Sequence, residues 1–124
     1  MDTEPMTAGV ITEHESVGGS ALVAVAGEVD MLTVDELRQA LMAAEARSAT
    51  EIVVLDLTEV SFLGSAGLVV LVDAAQRLAG RGGSLRLVVG AQRAVSRSLQ
   101  ASALDEVLTV CESLEQACQL MGEG

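Results

Sequence analysis

Short apolar runs along the chain predict five β-strands. Val10–Glu15 and Ala21–Ala26 are β-like runs, and the Ser/Gly-rich turn between them suits a hairpin of two antiparallel strands. Ile52–Leu57 is an almost continuous apolar run, which is typical of a parallel strand covered on both faces and predicts the middle of the sheet. Leu85–Val89 and Val107–Val110 supply the remaining two strands.

Helical spacing of apolar residues predicts a helix before and after the central strand. The first begins at Thr33, because Thr33-x-x-Glu36 has the pattern of a capping box, and it ends near Ser48. After a short loop, the second spans Ser65–Ala79, with Ser65 as the N-cap and Gly80 as the stop signal.

Two more helices are predicted in the last third of the chain. Ala91–Ala101 carries apolar residues at helical spacing, and Ser113-x-x-Gln116 is a second capping-box pattern. The buried stripe expected on the C-terminal helix is Leu114, Ala117 and Met121. The resulting order is ββαβαβαβα. This order predicts an α/β fold with about four helices on a mixed, mostly parallel sheet, joined by right-handed crossovers.

The length of 124 residues suits one compact domain, and a 50% hydrophobic composition is enough to form its core. We assign residues 9–121 to this domain, 1–8 to a flexible N-terminal tail and 122–124 to a C-terminal tail. The longest apolar run, Phe62–Val72, is shorter than the roughly 18–20 residues that cross a bilayer. The acidic N-terminus lacks the pattern of a signal peptide. These features predict a cytoplasmic protein without membrane insertion.

Charge and composition exclude several classes of function. The formal net charge is −11, which disfavours phosphate backbones as partners and predicts no direct binding of nucleic acid. The chain has no Lys, Tyr or Trp, which excludes lysine Schiff-base chemistry and stacking of Tyr or Trp on bases. Residues 77–97 nevertheless hold five arginines and no acid. Those arginines form either a patch for an acidic partner or, as we favour, scattered positions on helices and loops: Arg77, Arg81, Arg86, Arg93 and Arg97.

The residues that could support catalysis or metal binding are few. His14 is the single histidine, lies in a predicted edge strand and has no Gly-x-Ser-x-Gly motif to accompany it, so no catalytic triad is predicted. Cys111 and Cys118 lie seven residues apart in a stretch predicted to be helical, about 10 Å between α-carbons, which is too far for a disulfide. We therefore expect reduced cysteines, no metal site, no cofactor and no catalytic residue.

The segment Leu63–Gly67 follows a predicted buried strand and begins a helix. In parallel α/β sheets this end of the strands forms the functional rim. Its small residues leave the backbone uncovered, and the hydroxyl of Ser65 is expected beside free N–H groups at the positive end of the helix dipole, where a phosphate is tolerated. The simpler interpretation is that Ser65 only caps the helix and the glycines only allow tight packing.

Three segments, in this order and spacing, resemble the bacterial anti-sigma factor antagonists built on the STAS domain. They are Gly27–Asp30 with the helix start Thr33–Leu37, then Ile52–Leu57, then Val60–Leu68. The resemblance covers roughly residues 10–120. It implies a STAS fold and partner switching, in which the unphosphorylated antagonist binds an anti-sigma factor that is also a serine kinase and so frees the sigma factor. Phosphorylation ends the binding, and a PP2C-type serine phosphatase is the candidate for reversal.

The same resemblance implies a set of site residues. Ser65 falls on the phosphorylated serine, Asp30 on the acidic loop position beside it, and Gly67 on the glycine of the first helical turn. The chain departs from the family at Gly64, where aspartate is common, and at Ala66, where a second hydroxyl residue is common. The implied partner-binding set is Glu28, Asp30, Gly64, Ser65, Ala66 and Gly67.

Two other functions stay open on the sequence. A STAS subunit of a transporter complex would use the same rim against an ABC-transporter ATPase or a membrane anion carrier, and the identity of the captured partner distinguishes it. A sensor that holds a nucleotide or flavin has little support, because the chain lacks lysine and has a single aromatic residue. A non-enzymatic switch module is the leading interpretation.

Overall fold

Strands and helices alternate along the chain after two opening strands. The structure, a computed structural model, describes residues 9–15, 20–48, 50, 52–90, 94–101 and 108–117. Its elements are β1 Gly9–Glu15, β2 Ala21–Val29, α1 Val34–Arg47, β3 Ile52–Leu63, α2 Ser65–Ala79, β4 Ser84–Val88, α3 Ala94–Ala101 and β5 Thr109–Cys111. Residues 114–117 are helical after β5. The predicted order is thus confirmed, while the two tails and Met121 lie outside the described residues.

The strands form one sheet in the order β1-β2-β3-β4-β5. The first strand pairs antiparallel with β2, and β2, β3, β4 and β5 pair parallel. The apolar run that begins at Ile52 therefore occupies the centre of a mixed, mostly parallel sheet, as predicted. The predicted stop of the second helix is also confirmed, since Gly80 is the C-cap of α2; Gly82, in the turn that follows, takes a φ of 81°.

The main hydrophobic core lies on one face of the sheet, beneath the helices. Alternation along β3 points Val53, Leu55 and Leu57 into this core, while Val54 belongs to a smaller cluster. The helices contribute apolar residues at three- and four-residue spacing: Leu37, Leu41 and Ala44 from α1, Leu71, Ala74 and Leu78 from α2, and Val95 and Leu99 from α3. Amphipathic packing on a central parallel strand thus explains the architecture.

A buried carboxylate joins α1 to α2. Glu45 accepts hydrogen bonds from Nε and Nη2 of Arg77 at 3.0 and 2.7 Å, and its carbonyl oxygen accepts one from Arg81 at 3.0 Å. The hydrogen bond from Arg77 to Glu45 raises the pKa of this guanidinium above its ordinary value. Two of the five arginines are therefore committed to holding helices together.

The other arginines of residues 77–97 also lie at separate positions in the described part of the chain. Arg86 donates to the carbonyl oxygen of Ala117 at 3.1 Å and so fastens the helical residues after β5 to the sheet. Arg97 is exposed on α3, and Arg93 lies outside the described residues. Scattered structural positions, the interpretation favoured from the sequence, account for the described arginines.

The C-terminal part corrects two predictions. Cys111 ends β5 rather than lying in a helix, because it pairs with Val88 of β4; it is free and buried, and burial raises the pKa of its thiol. Cys118 lies outside the described residues. Leu114 is 39% exposed, so the predicted buried stripe retains Ala117 alone among the described positions. The Ser113 cap is confirmed, since its hydroxyl accepts a hydrogen bond from the N–H of Gln116 at 3.1 Å.

Candidate functional site

The ends of β2 and β3 lie side by side and continue into the candidate site. In the parallel register, Glu28 pairs with Phe62 and Val29 with Leu63. The backbone N–H of Gly64 donates to the carbonyl oxygen of Val29 at 2.9 Å. The loop predicted between the central strand and the second helix is absent, because β3 keeps pairing with β2 to its last residue. All six predicted partner-binding residues are thereby brought to one rim of the sheet.

The N-terminus of α2 corrects the predicted cap. Gly64, not Ser65, is the N-cap: its backbone is extended, and its carbonyl oxygen accepts the first helical hydrogen bond from Leu68 at 3.1 Å. Ser65 is the first helical residue, and it is exposed. No side chain caps this helix, and no acidic residue lies in its first turn. The hydroxyl of Ser65 therefore stands at the positive end of a helix whose own first turn carries no carboxylate.

Gly67 is buried where the first turn of α2 crosses the strands. A Cβ at Gly67 would lie 2.7 Å from Cδ1 of Leu63 and 2.8 Å from Cγ1 of Val29, both closer than contact distances allow. The neighbouring Ala66 is half-buried and packs against the core. Gly67 thus lets the helix approach the sheet, which places Ser65 against the ends of β2 and β3.

The acidic loop after β2 is held by internal hydrogen bonds. Oδ1 of Asp30 accepts from the N–H of Leu32 at 3.0 Å. The hydroxyl of Thr33 accepts from the N–H of Asp30 and donates to the carbonyl oxygen of Glu28, each at 3.1 Å. Thr33 is the N-cap of α1, but its side chain makes no cap bond, so the predicted capping box with Glu36 is wrong. The hydroxyl shapes the loop instead, because the end of β2 offers it partners.

Four exposed apolar side chains that the sequence pattern did not indicate lie in the same elements or in the adjoining loop. Met31 is 82% exposed, Leu32 88%, Phe62 50% and Val69 58%. Val69 lies one turn after Ser65 and therefore on the same side of α2. We call the surface formed by Glu28, Asp30, Met31, Leu32, Phe62, Ser65 and Val69 the Ser65 face. One feature of the sequence does indicate this surface: Phe62 is the chain's one aromatic residue and directly precedes the segment Leu63–Gly67.

The described residues offer little for other chemistry. Among them, no group of three or more His, Cys, Asp or Glu side chains is placed to hold a metal ion. His14 lies in β1, at the edge of the sheet as predicted. In the same part of the chain, no helix combines the length and apolar character of a membrane span. The described structure thus presents an exposed serine on a partly apolar, acidic face.

Comparison with known families decides what this architecture is. The family model described as STAS domain matches residues 10–117, which is most of the chain. The chain belongs to the STAS domain family. The resemblance stated from three short motifs is thereby confirmed, and the ββαβαβαβ order with a parallel β2-β3-β4-β5 sheet is its STAS fold.

The chain is also similar in sequence or structure to individual anti-sigma factor antagonists. The anti-sigma-F factor antagonist RsfB of Mycobacterium tuberculosis is 31% identical over 108 residues, which cover 86% of this chain and 83% of RsfB. The crystal structure of an anti-sigma factor antagonist from Mycobacterium paratuberculosis is 30% identical with a TM-score of 0.82, covering 90% of this chain and 92% of that one. The antagonist SpoIIAA in its unphosphorylated form shares the fold, with a TM-score of 0.74 at 18% identity, over 91% of this chain and 97% of SpoIIAA.

Proposed function

We propose that this STAS domain is a non-enzymatic anti-sigma factor antagonist that binds its anti-sigma factor through the Ser65 face. The observation that carries the proposal is the exposed Ser65 at the start of α2 in a chain 31% identical to an antagonist. Binding frees the sigma factor that the anti-sigma factor would otherwise hold. Such a protein acts by binding another protein, so it needs no catalytic residue, metal or cofactor.

The composition of the Ser65 face suits reversible protein binding. Its apolar part is exposed in the free chain, as expected of a surface that a partner covers. Glu28 and Asp30 lie next to this apolar part, at the end of β2 and in the following turn, and fit a partner with basic residues at the rim of its site. Because the proposed partner controls a sigma factor, we propose that the chain meets this partner in the cytoplasm.

Phosphorylation of Ser65 is the proposed off-switch, with the anti-sigma factor as the serine kinase and a PP2C-type phosphatase for the reverse step. A phosphate adds about −1.5 to −2 charges. At the first residue of α2 it would lie near unpaired backbone N–H groups, which stabilise it by about 0.3–1 kcal/mol, so the domain stays folded. Within a closed interface the same charge costs roughly 2–5 kcal/mol, a loss in affinity of about 30-fold to several thousand-fold.

The departures of this chain from its family are compatible with that switch. Gly64 and Ala66 flank Ser65 with no charge, and the first turn of α2 holds no carboxylate. A phosphate on Ser65 therefore meets no like charge from its own helix. The kinase must recognise Ser65 without the aspartate that is common at position 64.

The experiment is affinity capture of the tagged chain from its native cell, with mass spectrometry of stoichiometric partners. We expect an anti-sigma factor with a kinase domain, and an ABC-transporter ATPase or anion carrier would instead establish the transporter alternative. Ser65→Asp should lose the partner. Ser113→Asp is the matched control, because it adds the same charge at the exposed cap beyond β5 and should retain the partner.

A further inference from the structure

We propose that Phe62 is the apolar anchor of the Ser65 face and that contact with Gly64 helps to position its ring. The inference rests on the proposed function and deepens it. Phe62 is the chain's single aromatic residue, and it lies two residues before Gly64 and three before Ser65.

At position 64 the Phe62 ring, and not the backbone conformation, limits the space for a side chain. The backbone of Gly64 has φ −84° and ψ 176°, which any L-residue adopts, so conformation does not demand glycine here. A Cβ on Gly64 would lie 3.2 Å from Cε2 and 3.6 Å from Cζ of Phe62. A Cβ at position 64 would therefore require the ring to shift by a few tenths of an ångström.

Phe62 has the features of an interface anchor. It is half-exposed although it is large and apolar, and it belongs to a strand whose next residue, Leu63, is buried in the core. Its α-carbon is also in register with that of Glu28 on β2, so its backbone position is fixed by the sheet. An aromatic side chain has only two side-chain torsions, so it loses little entropy on binding, and it supplies a large contact area.

The charges beside Phe62 define the chemistry of the surface that receives it. Glu28 is its exposed neighbour across the sheet, and Asp30 follows in the next loop. Met31 and Leu32 extend the apolar area beyond these acids. The complementary site on the anti-sigma factor is an apolar socket for the Phe62 ring with basic side chains on the side of β2.

The test is isothermal titration calorimetry with the purified anti-sigma factor identified by capture. Phe62→Ala should weaken binding by at least about tenfold, and Gly64→Ala by at least about threefold, because its Cβ moves the ring. In the Phe62→Ala background, Gly64→Ala should change the affinity by less than about twofold, since no ring is left to move. Met42→Ala removes a side chain of similar exposure, 51%, from α1 and should bind within about twofold of wild type.

Far-UV circular dichroism and thermal melting of every variant confirm that each remains folded. If the wild type does not bind the anti-sigma factor, the proposed function itself is wrong. If the wild type binds and Phe62→Ala binds within about threefold of it, the anchor is wrong while the proposed function stands. An equal loss from Gly64→Ala with and without the Phe62 ring would overturn the pairing of the two residues.

Discussion

The N–H of Gly64 donates to the carbonyl oxygen of Val29 at 2.9 Å, and this bond joins the cap of α2 to the last residue of β2. The acidic loop that follows Val29 and the exposed Ser65 that follows Gly64 therefore begin next to each other. We therefore expect a partner that covers Ser65 to contact this loop as well.

The close packing of Gly67 predicts that Gly67→Ala destabilises the domain. The added Cβ would overlap Leu63, which can move, and the β-branched Val29, which is stiff and buried. We expect a loss of about 1–3 kcal/mol in the free energy of unfolding, measured in urea.

Gly80→Ala is the control for the loss of a glycine. Gly80 has right-handed helical angles, and a Cβ there would meet the carbonyl oxygens of Arg77 and Gln76 at an ordinary 3.6 Å. This variant should be as stable as wild type or more stable by up to about 1 kcal/mol. If Gly67→Ala were equally harmless, the tight contact between α2 and the strands would be wrong.

The buried ion pair between α1 and α2 predicts a large effect of Arg77→Ala. The side chain of Glu45 is only 5% exposed, and the substitution would leave Arg81 as its remaining cationic partner. Breaking a fully buried pair costs about 3–5 kcal/mol; because Arg77 is 37% exposed, we expect about 1–3 kcal/mol.

Arg38→Ala tests the same substitution in an exposed pair. Arg38 and its partner Asp35 are 46% and 77% exposed, so losing their contact should cost less than about 0.5 kcal/mol. Urea unfolding of both variants measures the difference. If both variants lost the same free energy of unfolding, the burial of Glu45 would contribute nothing to holding α1 and α2 together.

Two substitutions at Asp30 separate its charge from its hydrogen bond. Asp30→Asn keeps an oxygen that can accept from the N–H of Leu32, so it should leave the loop intact and weaken partner binding modestly. Asp30→Lys reverses the charge and should weaken binding more strongly, with a smaller loss at high salt, while the domain stays folded. Titration calorimetry at two salt concentrations measures both effects. Unchanged binding by Asp30→Lys would remove the loop from the Ser65 face.

The order of elements could be predicted from the sequence because it depends on local periodicity. The branched run from Ile52 and the helical spacing in α1 and α2 each identify one element without knowledge of its neighbours. The extent of β3 could not be predicted in this way. Its second half contains polar residues such as Thr58 and Glu59, and it remains a strand because β2 continues beside it through shifts in register.

The details of the site depend on contacts between distant parts of the chain, so the sequence predicted its position and not its geometry. The six residues implied by the family resemblance do meet at one rim. The hydroxyl of Thr33 does not make the predicted cap bond, because it donates to the carbonyl oxygen of Glu28 instead. Ser65 proved to be the first helical residue because Gly64 had already accepted the first helical hydrogen bond. The place of Phe62 over Gly64 has no sequence signature of its own.

The most direct test of the proposed switch is to incubate the chain with its anti-sigma factor and ATP, map the phosphate by mass spectrometry and measure binding before and after. The account predicts phosphate on Ser65 and a loss in affinity of at least about 30-fold. Ser65→Ala should stay bound and unmodified, whereas Ser65→Asp should fold normally and bind poorly. Phosphate found only on Thr58 or Ser61, or a Ser65→Asp variant that binds like wild type, would contradict the account.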